Sequence, residues 1–291
     1  MNMRYQEFVK QVVENVTNEV DDEATVMVKQ VRRNNDFSSD GLNIVRDTNI
    51  FSPTVFLDEC YDDYLKGRDI KNIVSDITGF YNSHEKINSL DISYFYNFNE
   101  ASSHLALKLI NYERNLELLS EIPYERYLDL AIVCYCLVEH NVFGTGSILI
   151  KNAHLDYWGI KKETLFQKAR NNTKEVQPYQ IKSAEEIFQS YIHGSDYPPI
   201  YILSNQINYY GAACMLYEEA LAELAERLES DLYILPSSVD ELILMPDTHT
   251  YDINALKQMV LEINRNYVSK DCFLSNSIYL YSRLEKLVKV L

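Results

Sequence analysis

Glycine, histidine and basic side chains are all scarce in this 291-residue chain, which has 8 glycines and 6 histidines. So few glycines leave little room for glycine-built phosphate loops. No G-x-x-x-x-G-K-[ST] loop, G-x-G-x-x-G turn, H-E-x-x-H helix or kinase signature set occurs, so common nucleotide-dependent and zinc-protease chemistries are not expected. Lys and Arg number 27 against 43 Asp and Glu, a formal charge of −16. Phosphate contacts need clustered cations, so direct nucleic-acid binding is not expected. The longest apolar run, Leu130 to Val138, is of strand length, and no spanning helix or membrane association is predicted. The opening MNMRYQEFVKQVVENV interleaves charges at helical spacing and does not read as a secretory leader. The cysteines, Cys60, Cys134, Cys136, Cys214 and Cys272, are odd in number and scattered. Four of them sit among apolar neighbours, as reduced thiols of a cytoplasmic protein would, and no disulfide framework is expected.

The chain is long enough for one large or two modest domains. Phe8, Val12, Val13, Val16 and Val20 share one helical face over Tyr5 to Val20. Ala24 to Arg32, Gly41 to Asp47 and Asn49 to Leu57 read as strands, and Asp58 to Leu65 and Asp69 to Tyr81 as helices, with Gly67 as a stop and Asp69 as a cap. Leu90 to Phe98 reads as an aromatic strand, Glu100 to Leu119 as a helix and Tyr127 to Glu139 as a buried strand. Asn141 to Gly146 has the residues of a hairpin turn into Ser147 to Asn152, and helices are expected over Lys161 to Asn171 and Ile181 to Tyr191. The most regular stretch, Tyr201 to Asp247, parses as strand, turn, strand, amphipathic helix, strand, turn, strand. A helix from Asn254 to Asn266 and a strand from Ser277 to Tyr281 follow. Without a βαβ rhythm, the class expected is α+β, with mixed or antiparallel sheets flanked by amphipathic helices. The turn-forming run His193 to Pro199 suggests lobes at 1–192 and 198–291, or one continuous domain.

Several residue groups invite a chemical reading, each beside a structural one. Glu219, Glu223 and Glu226 form an acidic stripe opposite the apolar face of Leu216 to Leu228, either a docking face for a basic partner or a solvated helix face. Ser237, Ser238 and Glu241 lie on the turn after Pro236, where a nucleophile would still need a base and an oxyanion hole; serines after proline commonly bond the backbone. Asp247, His249 and Asp252 form the densest set of metal-ligand types and equally suit a turn. No metal or cofactor is assigned. Cys136 and His140, with Cys134 beside them, could make an activated thiolate, but in so apolar a run cysteine acts as a small hydrophobe. Asp58, Glu59, Asp62 and Asp63 suit a helix N-terminus as well as they suit acid–base work. His84, His104, His154 and His193 have no evident partner set. The 23 tyrosines are spread along the chain.

Six phrases together resemble a known family. They are Ile50 to Thr54 with Tyr61 and Tyr64, Asn111 to Asn115, Leu128 to Ala131, Trp158 to Ile160, Gly211 to Ala213, and Leu235 to Ser238. They are similar to domain of unknown function 5688, a bacterial family of Firmicutes, over almost the whole chain. The C-terminal half also resembles a second uncharacterised bacterial family, in which a His is expected where this chain has Asp240. These resemblances imply a fold and no activity. The function expected is a cytoplasmic, acidic interaction or regulatory protein with a protein partner. A special case is an inhibitor of a basic nucleic-acid-binding partner. The alternative is a hydrolase using the Ser237/Glu241 turn or the Asp247/His249 loop.

Overall fold

A computed structural model describes residues 3–45, 54–86, 93–138, 146–187 and 199–291. The chain forms two compact units, one of residues 1–33 and 37–91, the other of residues 34–36 and 92–291. The suggested divide at 193–197 lies outside the described residues. The strands that flank it belong to one sheet.

The first unit comprises helix α1 (Tyr5–Glu19), strands β1 (Thr25–Arg32), β2 (Ser38–Val45) and β3 (Val55–Phe56), and helices α2 (Leu57–Leu65) and α3 (Ile70–Lys86). β1 and β2 pair antiparallel from Thr25↔Val45 to Arg32↔Ser38. Phe8, Val12 and Val16, four apart on α1, are fully buried with Leu42 and Ile44 of β2 and Ile73, Val74 and Ile77 of α3. Asp69 accepts the Lys71 amide at 2.9 Å, the capping contact expected of it. Of the expected strand Asn49 to Leu57, residues 49–53 lie outside the described residues.

The second unit begins with α4 (Phe98–Ala101), β4 (Leu105–Asn111), α5 (Leu116–Glu121), β5 (Tyr124–Tyr127), β6 (Leu130–Val138) and β7 (Gly146–Leu149). α6 (Asn152–Trp158), α7 (Lys162–Val176), β8 (Tyr179–Ser183), α8 (Ala184–Ile187) and β9 (Tyr201–Asn205) come next. The rest is α9 (Glu218–Leu228), β10 (Leu232–Pro236), β11 (Leu242–Pro246), α10 (Ile253–Asn266), β12 (Tyr279–Ser282) and β13 (Leu287–Val290). One sheet runs β4-β6-β5 with β7 also on β6; the other runs β13-β12-β10-β11-β9-β8. Every described strand pair is antiparallel, and the fold is α+β. Both sheets of this unit contribute to one apolar core, which α7 seals with Leu165, Phe166 and Ala169 and α9 with Ala220, Leu221, Leu224 and Ala225. α10 covers Tyr233, Leu235 and Met245 through Leu256 and Val260. Among the described residues no helix is long and apolar enough to cross a membrane.

The structure corrects four readings. The expected helix over Glu100 to Leu119 is instead β4 followed by α5; the Leu105, Leu109, Tyr112, Leu116, Leu119 spacing mimics a helical row. β4 is covered on both faces, so its sequence lacks the alternation of a half-buried strand. In the expected strand Leu90 to Phe98, the described part starts with a 3-10 turn, Ser93–Tyr96. The second strand expected before α9 is a buried 3-10 turn, Gly211–Leu216. The helix expected over Ile181 to Tyr191 starts as β8, which pairs with β9 and only then turns into α8.

Candidate functional site

All the sequence-selected residues on the C-terminal strands lie in the second unit, and most are engaged by their own neighbours. Ser237 donates to Glu241 Oε1 at 3.0 Å, so the turn does bring these two together. Ser238 Oγ accepts the Asp240 amide at 3.0 Å, as a serine after proline commonly does. Asp240, which stands where a His is expected in the second family, accepts the Tyr210 amide at 2.8 Å.

The three stripe glutamates each meet a side chain. Glu219 pairs with Lys174 at 2.6 Å, Glu223 accepts the Tyr179 hydroxyl at 2.6 Å, and Glu226 meets Arg283 at 3.1 Å. Partial desolvation pushes the Glu219 carboxyl up, and the Lys174 hydrogen bond, a backbone hydrogen bond and the Lys174 charge together outweigh it, for a net lowering.

Asp247, His249 and Asp252 are not gathered into one ligand set. Asp247 accepts the Tyr233 hydroxyl and the His249 amide, while the His249 ring, 87% exposed, stands 3.2 Å from its second oxygen. Asp252 instead caps α10 through the Asn254 amide. Among the described residues no group of three or more His, Cys, Asp or Glu could hold a metal ion.

The fold does join the end of the stripe to this loop. Glu226, Glu229, Ser230, Asp231, Asp247, His249, Arg283 and Leu284 line an open groove of about 550 Å³. Four carboxylates and one guanidinium share that lining, Glu226 meeting the guanidinium and Asp231 accepting the Arg283 amide at 2.8 Å, and Leu284 stands 92% exposed at its wall.

Cys134 and Cys136 point into the core, and burial raises both thiols, Cys136 to about 12. A protonated thiol is a poor nucleophile. His140, His193 and the side chain of His84 lie outside the described residues. His104 stacks on Tyr94 with ring centroids 4.1 Å apart. Burial, then the Lys151 charge, lowers the pKa of His154, whose ring accepts the Lys151 amide.

Sequence reasoning missed a second constellation, on the other face of the four-stranded sheet. Lys108 is in mid-β4, flanked on its face by Ala106 and Ile110 and paired with Val133. Its ammonium lies 3.7 Å from the Tyr210 ring centroid. Protein crowds the side chain, although part of it still meets solvent, and that desolvation pushes the ammonium down to about 8. The charges of Tyr209, Asp240, Cys272 and Asp271 oppose the fall.

Tyr210 has φ 55°, in the left-handed region that costs a non-glycine residue about 1 kcal/mol or more. Buried amides hold that segment: Asn205 bonds both the N–H and the C=O of Tyr209, and Gln177 donates to the same carbonyl. The next residue admits no side chain, since a Cβ on Gly211 would stand 2.1 Å from Ser204 Oγ and 2.5 Å from the Asp240 carbonyl. The one available sequence signal is a lysine between leucines in LALKLIN.

Comparison with curated proteins found no match, and comparison with solved structures found none either. The model of the family of unknown function DUF5688 matches residues 5–283. That match spans both units, and the chain belongs to this family.

Proposed function

We propose that this chain is a cytoplasmic binding protein whose acidic groove takes a basic segment of a protein partner. The observation that carries this reading is the groove itself, whose lining sets Glu226, Glu229, Asp231 and Asp247 against a single cation, Arg283, beside the exposed Leu284. A volume of about 550 Å³ suits one or two side chains of a docked segment. The net charge of −16 steers a cationic partner towards any such surface. Five free cysteines are in keeping with a reducing cytoplasm. A special case is an inhibitor that covers a partner's nucleic-acid-binding surface.

The test compares capture from a native lysate by the wild type and by a Glu226→Gln/Glu229→Gln variant. The wild type is expected to retain a basic protein at low salt and release it as salt rises, and the variant to lose it. Equal capture by both would remove the groove from consideration. Added nucleic acid should displace the partner if the inhibitor case holds.

The 3.0 Å contact between Ser237 and Glu241 favours a second reading, a hydrolase with Ser237 as nucleophile. A fluorophosphonate probe decides it. Labelling of Ser237 that disappears in Ser237→Ala supports the enzyme, and no labelling at this residue ends that reading.

A further inference from the structure

Strand β1 pairs with β2 along its whole length and, among the described residues, with no strand on its other side. Its eight residues, TVMVKQVR, contain no proline or glycine, and the register to β2 runs without a bulge from Thr25 to Arg32. In an antiparallel ladder alternate residues turn their N–H and C=O groups away from the one partner, so this edge offers a straight template for another strand. The other edge strands are blunted. β3, β5, β7, β8 and β13 have two to five residues each, and β4 is buried except at Lys108.

The side chains of β1 also suit an interior position. Val26 and Val28 stand opposite Ile44 and Leu42 on the core side of the sheet. Leu42 is 1% exposed, whereas Val28, at the margin, is 37% exposed. Met27 and Val31 point to the other face and are half-buried. A strand apolar on both faces is the pattern of a sheet interior, yet this one lies at an edge. Its charges are segregated: Asp21, Asp22 and Glu23 precede it, and Lys29, Arg32 and Arg33 close it. Laid antiparallel against its own copy, each acidic end meets a basic end.

We propose that two copies of this chain pair antiparallel through β1, about a two-fold axis at Met27, joining two three-stranded sheets into one of six strands. In this register Met27 faces its own counterpart, and Val26 faces the partner's Val28 on the core side. Asp22 faces the partner's Arg32, and Glu23 lies diagonal to the partner's Lys29. The contact is isologous, so each pair occurs twice. An axis at Lys29 would set two ammonium groups against each other, which disfavours that alternative. The net charge of −16 opposes self-association, so the attraction has to be local, and the acid-to-base register supplies it. The interface draws on the first unit alone and shares no residue with the acidic groove, so either assignment can fail without the other.

Sedimentation velocity on the full chain from about 1 to 200 μM is expected to show a reversible monomer–dimer equilibrium, as suits a small interface. Lys29 is exposed, so Lys29→Glu leaves the core intact; it makes the diagonal pair repulsive twice per dimer and should weaken association by about tenfold. Adding Glu23→Lys to that variant should restore the wild-type affinity to within about threefold, because the pair is then reversed instead of broken. Met27→Cys, oxidised with copper phenanthroline, should yield a disulfide joining position 27 of the two chains, read by peptide mass spectrometry. A chain that stays monomeric over the whole range overturns the proposal, and that measurement is made on the wild type. So does a dimer that ignores Lys29→Glu, one that the double change fails to restore, or one without the link at position 27.

Discussion

Asp129 accepts hydrogen bonds from three hydroxyls: Ser275 at 2.6 Å, Ser277 at 3.0 Å and Tyr279 at 2.7 Å. It sits next to Leu128, whose φ of 56° turns the chain between β5 and β6. Replacing it with alanine strands those donors, Tyr279 among them fully buried. Asp129→Ala should therefore lower the unfolding free energy by about 2–4 kcal/mol, read by urea denaturation, with Asp129→Asn losing less. Gly211 offers a steric counterpart. A methyl group there meets the Asp240 backbone, so Gly211→Ala should cost about 1–3 kcal/mol and lower the thermal midpoint.

Helix α9 separates burial from charge at the scale of an element. Leu224 is fully buried in the core, while its neighbour Glu223 has its contact with Tyr179 at the surface. Leu224→Ala should cost about 2–5 kcal/mol by thermal denaturation. Glu223→Ala should cost no more than about 1 kcal/mol.

This contrast also explains which elements were legible. α1, α9 and α10 each bury one face, so the period of 3.6 stands out in their sequences. β6 was legible through length and β-branched content. β4 was not, because burial on both faces erased its alternation, and the error carried Lys108 with it. The signature phrases were legible as a family, and their described parts do structural work. Asn111 and Asn115 are buried and bond the Leu274 and Asn111 carbonyls, Trp158 donates to the Phe95 carbonyl, and Gly159 closes α6 in the left-handed region. The Ser237–Glu241 contact could be guessed from spacing. The groove could not, since it joins a helix end, a loop and the strand connection at Arg283, residues far apart in the chain.

For the whole molecule, buried acids set the alkaline limit of stability. Burial raises Cys60 to about 11 and Cys136 and Cys214 to about 12. The hydrogen bond to Glu223 leads in raising Tyr179 to about 12, and burial leads for Tyr233, also to about 12. The fold keeps these groups protonated where the unfolded chain ionises them, so their contribution is complete below about pH 8.5 and fades as pH rises through their folded values. Lys108 works in the opposite sense. Its folded value of about 8 is below the ordinary 10.5, so between the two the unfolded chain holds the extra proton and its contribution to stability grows with pH. The urea midpoint should fall between about pH 9 and 11, and fall more steeply in Lys108→Met. An unchanged slope in that variant would mean that the lysine is solvated.

The hub at Asp129 also bears on how the chain is made. Its hydroxyl partners follow it by 146 to 150 residues, and β12, the same stretch, fills the open edge of β10. At ribosomal rates of about 5–20 residues per second, that interval lasts roughly 7 to 30 s. Through that interval the carboxylate turn is unsatisfied, and from the synthesis of Pro236 to that of Tyr279 the edge of β10 is uncovered as well, a combination that invites chaperone binding until the closing strand emerges.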